Sequence, residues 1–542
     1  MATSQKPLWR GGRPLRNQKL NRRKLLEGAA AAAGALALSA SSRTGWADQS
    51  QPSATVNVDT TVRHQLIEGF GASDCWSMDP IGREWSEENK ERLAELLFSQ
   101  RTGAGLSQWR FNVGAGGALA DKATLWDSWR GADCFRRSEA EQYDWSRQPG
   151  QQWFLRAAKR LGVDQFIAFA NSPPVWMTVN GHAHCDKQTG STNLKPGYEL
   201  RFAAFLADVV QHFQRQGIPF RYISPLNEPN WNWEGGGQEG CRYNNDDIAR
   251  VVRALHQEAT RRRLKVDIIT PEAGDLASML DDDLWRAWAH NNDPSAHYNL
   301  DANQLGKGQY RQYVKLLLGN PELRAMVDAR VAAHAYWTDR GELMLAELRR
   351  ALRQNIARYT PDGRYWQTEY CIMEHGRDLG MDSALRVARV LHHDLVDGNA
   401  SAWQWWLAVS PADYKDGLIY TDYKKDGEQT VYPSRILWVL GAYSRFVRPG
   451  AHRVEVTTQG ADGLLASAYV SADGRGLTII LTNEGREARR VHVAVNGRPV
   501  SLTPHVTSEE HQLAQQPATT RGGEWVAPPR SVAALVGKQL PV

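Results

Sequence analysis

No stretch of these 542 residues is apolar enough to cross a bilayer: the blandest run, residues 28–40, is only 13 residues long, where a membrane helix takes roughly 20. Cysteine is scarce. Cys75, Cys134, Cys185, Cys241 and Cys371 make five, an odd number that leaves at least one thiol unpaired within a monomer, and their spacing matches no zinc pattern. Neither His182-Ala183-His184-Cys185 nor the His392-His393 pair has a second ligand cluster at metal-site spacing, so ordinary loop and helix histidines are expected and no metal. The run Asp281-Asp282-Asp283 reads as a helix start rather than a cation site. No glycine-rich phosphate loop opens a helix, which speaks against a doubly wound nucleotide-binding sheet. No Gly-x-Ser-x-Gly elbow marks a serine hydrolase. Nothing calls for a cofactor.

The net charge of +5 is not a property of the body of the chain. Residues 1–47 carry nine Lys and Arg against one acid, Glu27, a net +8 that leaves the remainder at −3. A mildly acidic body gives no reason to expect a nucleic-acid partner. The basic segment reads as an address: Asn21-Arg22-Arg23-Lys24 followed by the bland run resembles a twin-arginine export signal, cleaved after Ala40 or Ala47. That implies a bacterial protein, periplasmic or extracellular. Such substrates fold before export, so the fold is expected not to depend on disulfides. An ordinary secretory signal or a disordered basic tail is the alternative.

What the chain has in plenty is tryptophan, 21 residues, and a regular alternation of short apolar runs with amphipathic segments. Predicted strands at 65–72, 106–113, 164–170, 220–226, 265–271, 330–334, 364–369 and 401–407 are separated by helical patterns, among them 87–98, 198–216, 246–263, 342–358 and 383–397. A last helix, 433–446, closes the series. Eight such alternations predict an α/β fold, a (β/α)8 TIM barrel over 66–446. After Pro449 short β-forming runs and turn signals such as Asn496-Gly497 predict a side all-β sandwich over 447–542. The strand-like residues 53–65 are expected to join it.

Two strand ends carry the chemistry. Ser224-Pro225-Leu226-Asn227-Glu228-Pro229-Asn230 is answered 141 residues later by Trp366-Gln367-Thr368-Glu369-Tyr370. In a barrel both glutamates would stand at the C-terminal mouth. Hydrolysis of a glycosidic bond needs such a pair: one protonates the leaving oxygen, and the other attacks or shields the anomeric carbon. The neighbouring strand ends suit a sugar cleft. Arg110 and Asn112 end the second strand, where an arginine can keep a nucleophilic carboxylate ionised. Asn171 and Trp176 follow the third strand; Asn227, Trp231 and Trp233 surround the first glutamate. His334, Tyr336 and Trp337 end the sixth strand, and Trp403 and Trp405 share one face of the eighth. Barrel packing is the competing explanation for about half of these tryptophans. Competing acids are Glu68, Asp74, Glu272, Asp275, Glu234, Glu239 and Glu374.

Taken in order, five motifs resemble glycoside hydrolase family 30 over residues 55–540. They are Glu68-Gly69-Phe70-Gly71-Ala72-Ser73, Asn171-Ser172-Pro173-Pro174-Val175-Trp176-Met177-Thr178, Leu226-Asn227-Glu228-Pro229, Gln367-Thr368-Glu369-Tyr370 and Pro528-Pro529-Arg530-Ser531-Val532. The resemblance implies that Glu228 is the acid/base, that Glu369 is the nucleophile, and that anomeric configuration is retained, which requires carboxyls roughly 5–5.5 Å apart. Gly71-Ala72-Ser73-Asp74-Cys75-Trp76 is closer to the endo-β-1,6-galactanase-like branch than to the glucosylceramidase-like one. That implies a β-1,6-linked galactan, such as arabinogalactan side chains, as the polysaccharide partner. β-1,6-glucan, xylan-type, β-xyloside and β-fucoside substrates stay open, and a non-catalytic polysaccharide-binding protein is the rival class.

Overall fold

The computed structural model describes residues 53–284, 308–422 and 427–537; the expected export signal at 1–47 and the last five residues of the expected sandwich lie outside them. Short strands buried from end to end, Gly69–Ser73, Gln108–Asn112, Gln165–Phe169 and Arg330–His334 among them, pair only in parallel. Burial on both faces is what a parallel sheet covered by helices requires. Along the sheet the order is Asp267–Ile268, Phe220–Ser224, Gln165–Phe169, Gln108–Asn112, Gly69–Ser73, Ala402–Ser410, Arg364–Glu369, Arg330–His334 and Pro271–Ala273. Its two ends are successive pieces of one stretch of chain. Ile269 N–H still bonds to Ile223 on one side, while Thr270 C=O receives Ala332 N–H on the other. Pro271, lacking an N–H, marks the changeover. The curled sheet with its flanking helices forms an α/β barrel-like domain.

The glycines of the first strand let the sheet close. A Cβ on Gly71 would stand 2.6 Å from the backbone oxygen of Gln108. Below it, Gln108 bonds Gln165 at 3.1 Å and Gln404 at 2.8 Å, an amide network inside the curl. Helices present apolar stripes to this sheet and polar caps to solvent. Asn245–Arg262 begins in a reciprocal capping box between Asn244 and Asp247. Asp281, in the acidic run read as a helix start, accepts the N–H of Leu284 at 2.9 Å.

The first barrel strand starts four residues later than predicted, because residues 65–66 end a different strand. Ser53–Leu66 lies in a second, ten-stranded sheet, antiparallel to His452–Gln459 and parallel to Arg489–Val495. That sheet has its own apolar core, including Val56, Val58, Ile479, Leu481, Val493 and Leu535. The alternate residues Ile480, Val532 and Ala534 point the other way, into the barrel's core. Among the described residues no helix is long and apolar enough to cross a membrane.

Candidate active site

Glu369 is the last residue of strand Arg364–Glu369, and Glu228 comes four residues after strand Phe220–Ser224. Glu228 sits at φ 44°, Glu272 at φ 58° and Trp337 at φ 58°, a left-handed backbone that non-glycine residues rarely adopt. Such conformations cost about 1–3 kcal/mol each and cluster at functional sites. The bend at Glu228 is secured by its own N–H, which donates to Glu272 C=O at 2.9 Å. One carboxylate oxygen of Glu228, one of Glu369 and an imidazole nitrogen of His334 all lie within 4.8 Å of one another.

The two glutamates are held differently. Glu369, 3% exposed, accepts from Arg110 Nη1 on one oxygen and from Tyr336 Oη on the other, both at 2.7 Å. Arg110 itself packs 4.1 Å from the centroid of Phe169. Glu228, with 12% of its side chain exposed, is paired with His334 Nδ1 at 3.0 Å. That nitrogen is also 3.6 Å from Glu369, and His334 Nε2 is 3.4 Å from Glu272. Glu272 is fully buried and accepts from Ser224 at 2.7 Å and from Thr368.

These contacts set the charges. Burial opposes a positive His334, but Glu369, Glu228 and Glu272 hold its pKa up at about 10. Burial likewise opposes ionisation of Glu272, yet His334, Arg110 and Thr368 pull it down to about 2. Glu228 moves up, because burial outweighs the bond and charge of His334 and because Glu369 and Asp275 repel its negative form. Two acids, Glu369 and Glu272, thus face two bases, Arg110 and His334, and Glu228 is the acid whose burial favours the neutral form.

The expected binding residues divide. Asn112 and Asn171 bond each other at 2.8 Å; Asn171 Oδ1, Asn112 Nδ2 and Asn227 Oδ1 are buried without a hydrogen-bond partner. Trp233 donates its indole N–H to Glu228 C=O at 3.0 Å, and Trp231 is half-buried beside it in sequence. Trp176 is half-buried and bonds Arg136 C=O at 2.8 Å. Trp337 is 37% exposed. Trp403 and Trp405 are fully buried, bonded to Asp394 of helix Met381–Val396 at 2.9 Å and to Asp416 C=O at 2.7 Å. They pack the wall instead of joining the carboxylate cluster.

The competing acids separate in the same way. Glu68 lies at the opposite end of the sheet, 3.1 Å from both Arg330 and Arg364. Asp74 accepts Asn112 N–H at 2.8 Å and is raised to about 8 by burial. Asp275 bonds Asn230 at 2.9 Å, and Glu239 caps the backbone N–H of Gly117 at 2.9 Å. Glu234 pairs with Arg242 at 3.1 Å, and Glu374 with Lys415 at 2.8 Å. Only Glu272 joins the site, as the counter-ion of His334; its place at the end of the fifth strand was the available signal.

A barrel-like α/β scaffold that gathers two carboxylates from the ends of two separate strands is the architecture of a glycoside hydrolase. The profile of O-glycosyl hydrolase family 30 matches residues 53–420, and the chain belongs to that family. An endo-β-1,6-galactanase from Hypocrea rufa is 28% identical over 239 residues, covering 39% of this chain and 47% of that protein, so this match spans about half of the relative. Among solved structures, a conserved exported protein from Bacteroides fragilis superposes with a TM-score of 0.76 at 28% identity, over 89% of this chain and all of that one. The catalytic domain of a family 30 xylanase C from Talaromyces cellulolyticus does so with a TM-score of 0.66 at 19% identity, covering 89% and 99%.

Proposed function

We propose that this protein is an exported, retaining glycanase that cleaves β-1,6-linked galactan, with Glu228 as acid/base and Glu369 as nucleophile on a (β/α)8 barrel carrying a β-sandwich. The observation that carries the reading is the separation of under 4.8 Å between a Glu228 oxygen and a Glu369 oxygen. Retaining pairs sit roughly 5–5.5 Å apart, whereas inverting pairs need roughly 6.5–9.5 Å to admit a water. Glu228 gives its proton to the glycosidic oxygen while Glu369 attacks the anomeric carbon, breaking the C–O bond and forming a glycosyl ester. Water, losing a proton to the carboxylate of Glu228, then hydrolyses that ester and frees Glu369. His334 keeps Glu228 oriented throughout. Asn112, Asn171 and Asn227 have buried polar atoms that sugar hydroxyls would satisfy.

The galactan assignment rests on the first-strand motif and on the name of the Hypocrea relative. Export rests on the basic leader, in keeping with the exported Bacteroides protein. Product analysis on β-1,6-galactan, β-1,6-glucan and xylan tests the substrate, and release from galactan alone is expected. Proton NMR of the first-formed product should show the β-anomer. A first-formed α-anomer removes Glu369 as nucleophile, and no release from any of the glycans favours the non-catalytic rival.

A further inference from the structure

Asp121, on the loop after strand Gln108–Asn112, and His182 and His184, on the loop after strand Gln165–Phe169, bring a second set of donor atoms together. A carboxylate oxygen and two imidazole nitrogens lie within 4.8 Å of one another. His182 Nδ1 is 2.6 Å and His184 Nε2 3.9 Å from the same atom, Asp121 Oδ1. The other oxygen, Oδ2, is engaged by Ala183 N–H at 2.8 Å. His184 Nδ1 lies 2.8 Å from Cys185 C=O. A carbonyl only accepts, so this nitrogen carries a proton. His184 Nε2 is then left without a hydrogen-bond partner in a residue 8% exposed. Neutral, the ring aims a lone pair at a carboxylate oxygen; protonated, it aims an N–H from beyond bonding distance. A cation between them takes up the lone pair of the neutral ring, and in the protonated case it displaces the Nε2 proton to solvent.

The surroundings are built to hold this arrangement. Buried Asn193 donates to His182 C=O at 3.1 Å, to His184 C=O at 2.9 Å and to Asn180 Oδ1 at 2.8 Å. Asn180 Oδ1 also takes the His182 N–H at 3.0 Å. From a third loop Gly236, at φ +78°, passes so near that a Cβ there would stand 3.4 Å from His184 Nε2. The protonated Nδ1 behind a bare Nε2 is the usual support of a metal-bound histidine.

We propose that Asp121 Oδ1, His182 Nδ1 and His184 Nε2 bind a divalent transition ion of the zinc class, which clasps the loops after the second and third strands. Two imidazoles and one carboxylate suit zinc better than calcium or magnesium, which prefer all-oxygen sets. Bonds of about 2.0–2.1 Å put tetrahedral ligands about 3.3 Å apart, between the 2.6 and 3.9 Å found here. The half-exposed side of His182 admits the ion and a completing water. On binding, His182 offers its Nδ1 lone pair with its proton on Nε2, and a ring protonated beforehand releases one proton to solvent. The clasp reaches the other site through two hydrogen bonds of 3.0 Å, Cys185 N–H to Trp233 C=O and Trp233 Nε1–H to Glu228 C=O.

The test uses full-length, tag-free, EDTA-treated protein titrated with zinc chloride by calorimetry and with cobalt chloride by visible absorption. One ion per chain, an intense cobalt band and a rise in Tm are expected. Asp121→Asn and His184→Gln should each weaken binding at least about tenfold and lose the rise, with Tm in EDTA unchanged. If either fails to fold, His182→Ala, on a side chain 45% exposed, gives the same reading. Glu228→Gln should bind zinc as the parent does. No saturable binding by the parent, unaltered binding in His184→Gln and His182→Ala, or loss in Glu228→Gln instead overturns the proposal.

Discussion

At the scale of single residues, the site works by unequal treatment of like groups. Glu369 is clamped by Arg110 and Tyr336, whereas Glu228 leans on His334, a cation shared with Glu272. Removing one donor from a reacting group costs roughly 10²–10³-fold in rate. Tyr336→Phe is therefore expected to lower kcat about 10²-fold in steady-state assays with little change in Tm, and an unchanged kcat would release Tyr336 from that part. His334 depresses the pKa of Glu228 by its bond and charge, against the burial that raises it. His334→Gln should then move the alkaline limb of kcat/KM to higher pH, since the acid would hold its proton longer. The same histidine ties stability to pH. Its pKa rises from 6.5 to about 10 on folding, so its contribution is complete below about 6.5 and is lost as pH climbs towards 10. Urea denaturation across that window should show a falling stability that His334→Gln flattens. The strand-end pattern made Glu228, Glu369 and Arg110 legible. Glu272 was legible as a strand-end acid, but its pairing with His334 was not, because a contact between two separate strands leaves no mark in the pattern of either one.

Among elements, the strands and helices were legible where one periodicity ruled and blurred where two neighbours competed. The sixth and seventh strands stand at the predicted 330–334 and 364–369. The fifth was predicted as one run, 265–271, but divides its hydrogen bonds between two neighbours on either side of Ile269-Thr270. Alternation correctly gives Trp403 and Trp405 a common face. It cannot say which face, and Asp394 on the outer helix decides that. Close approach is also invisible to pattern. With the Gln108 carbonyl 2.6 Å from a Cβ at Gly71, Gly71→Ala must push two paired strands apart. Overpacking of this kind costs about 1–3 kcal/mol. A urea midpoint within error of the parent's would show that the strands yield freely.

For the whole molecule the decisive feature is the strand Leu477–Asn483, buried along its entire length. Ile479 and Leu481 fill the second sheet's core, while Ile480 joins Val532, Ala534 and Tyr469 in the core of the barrel. Helix Arg435–Ser444 seals the same boundary: Ser444 Oγ bonds Ala104 C=O at 2.5 Å, and the Tyr443 ring lies 6.4 Å from Tyr469. A boundary packed like an interior, instead of a thin linker, couples the unfolding of both parts. Calorimetry of the protein should therefore show one cooperative transition, with calorimetric and van't Hoff enthalpies agreeing. Truncation after Phe446 would uncover that apolar boundary and strip Ser53–Leu66 of His452–Gln459 and Arg489–Val495, its partners on both sides. Such a fragment is expected to aggregate or to stay partly unfolded by circular dichroism. A soluble fragment that melts at the parent's temperature would mean that the barrel stands alone, and that the second sheet serves something other than stability.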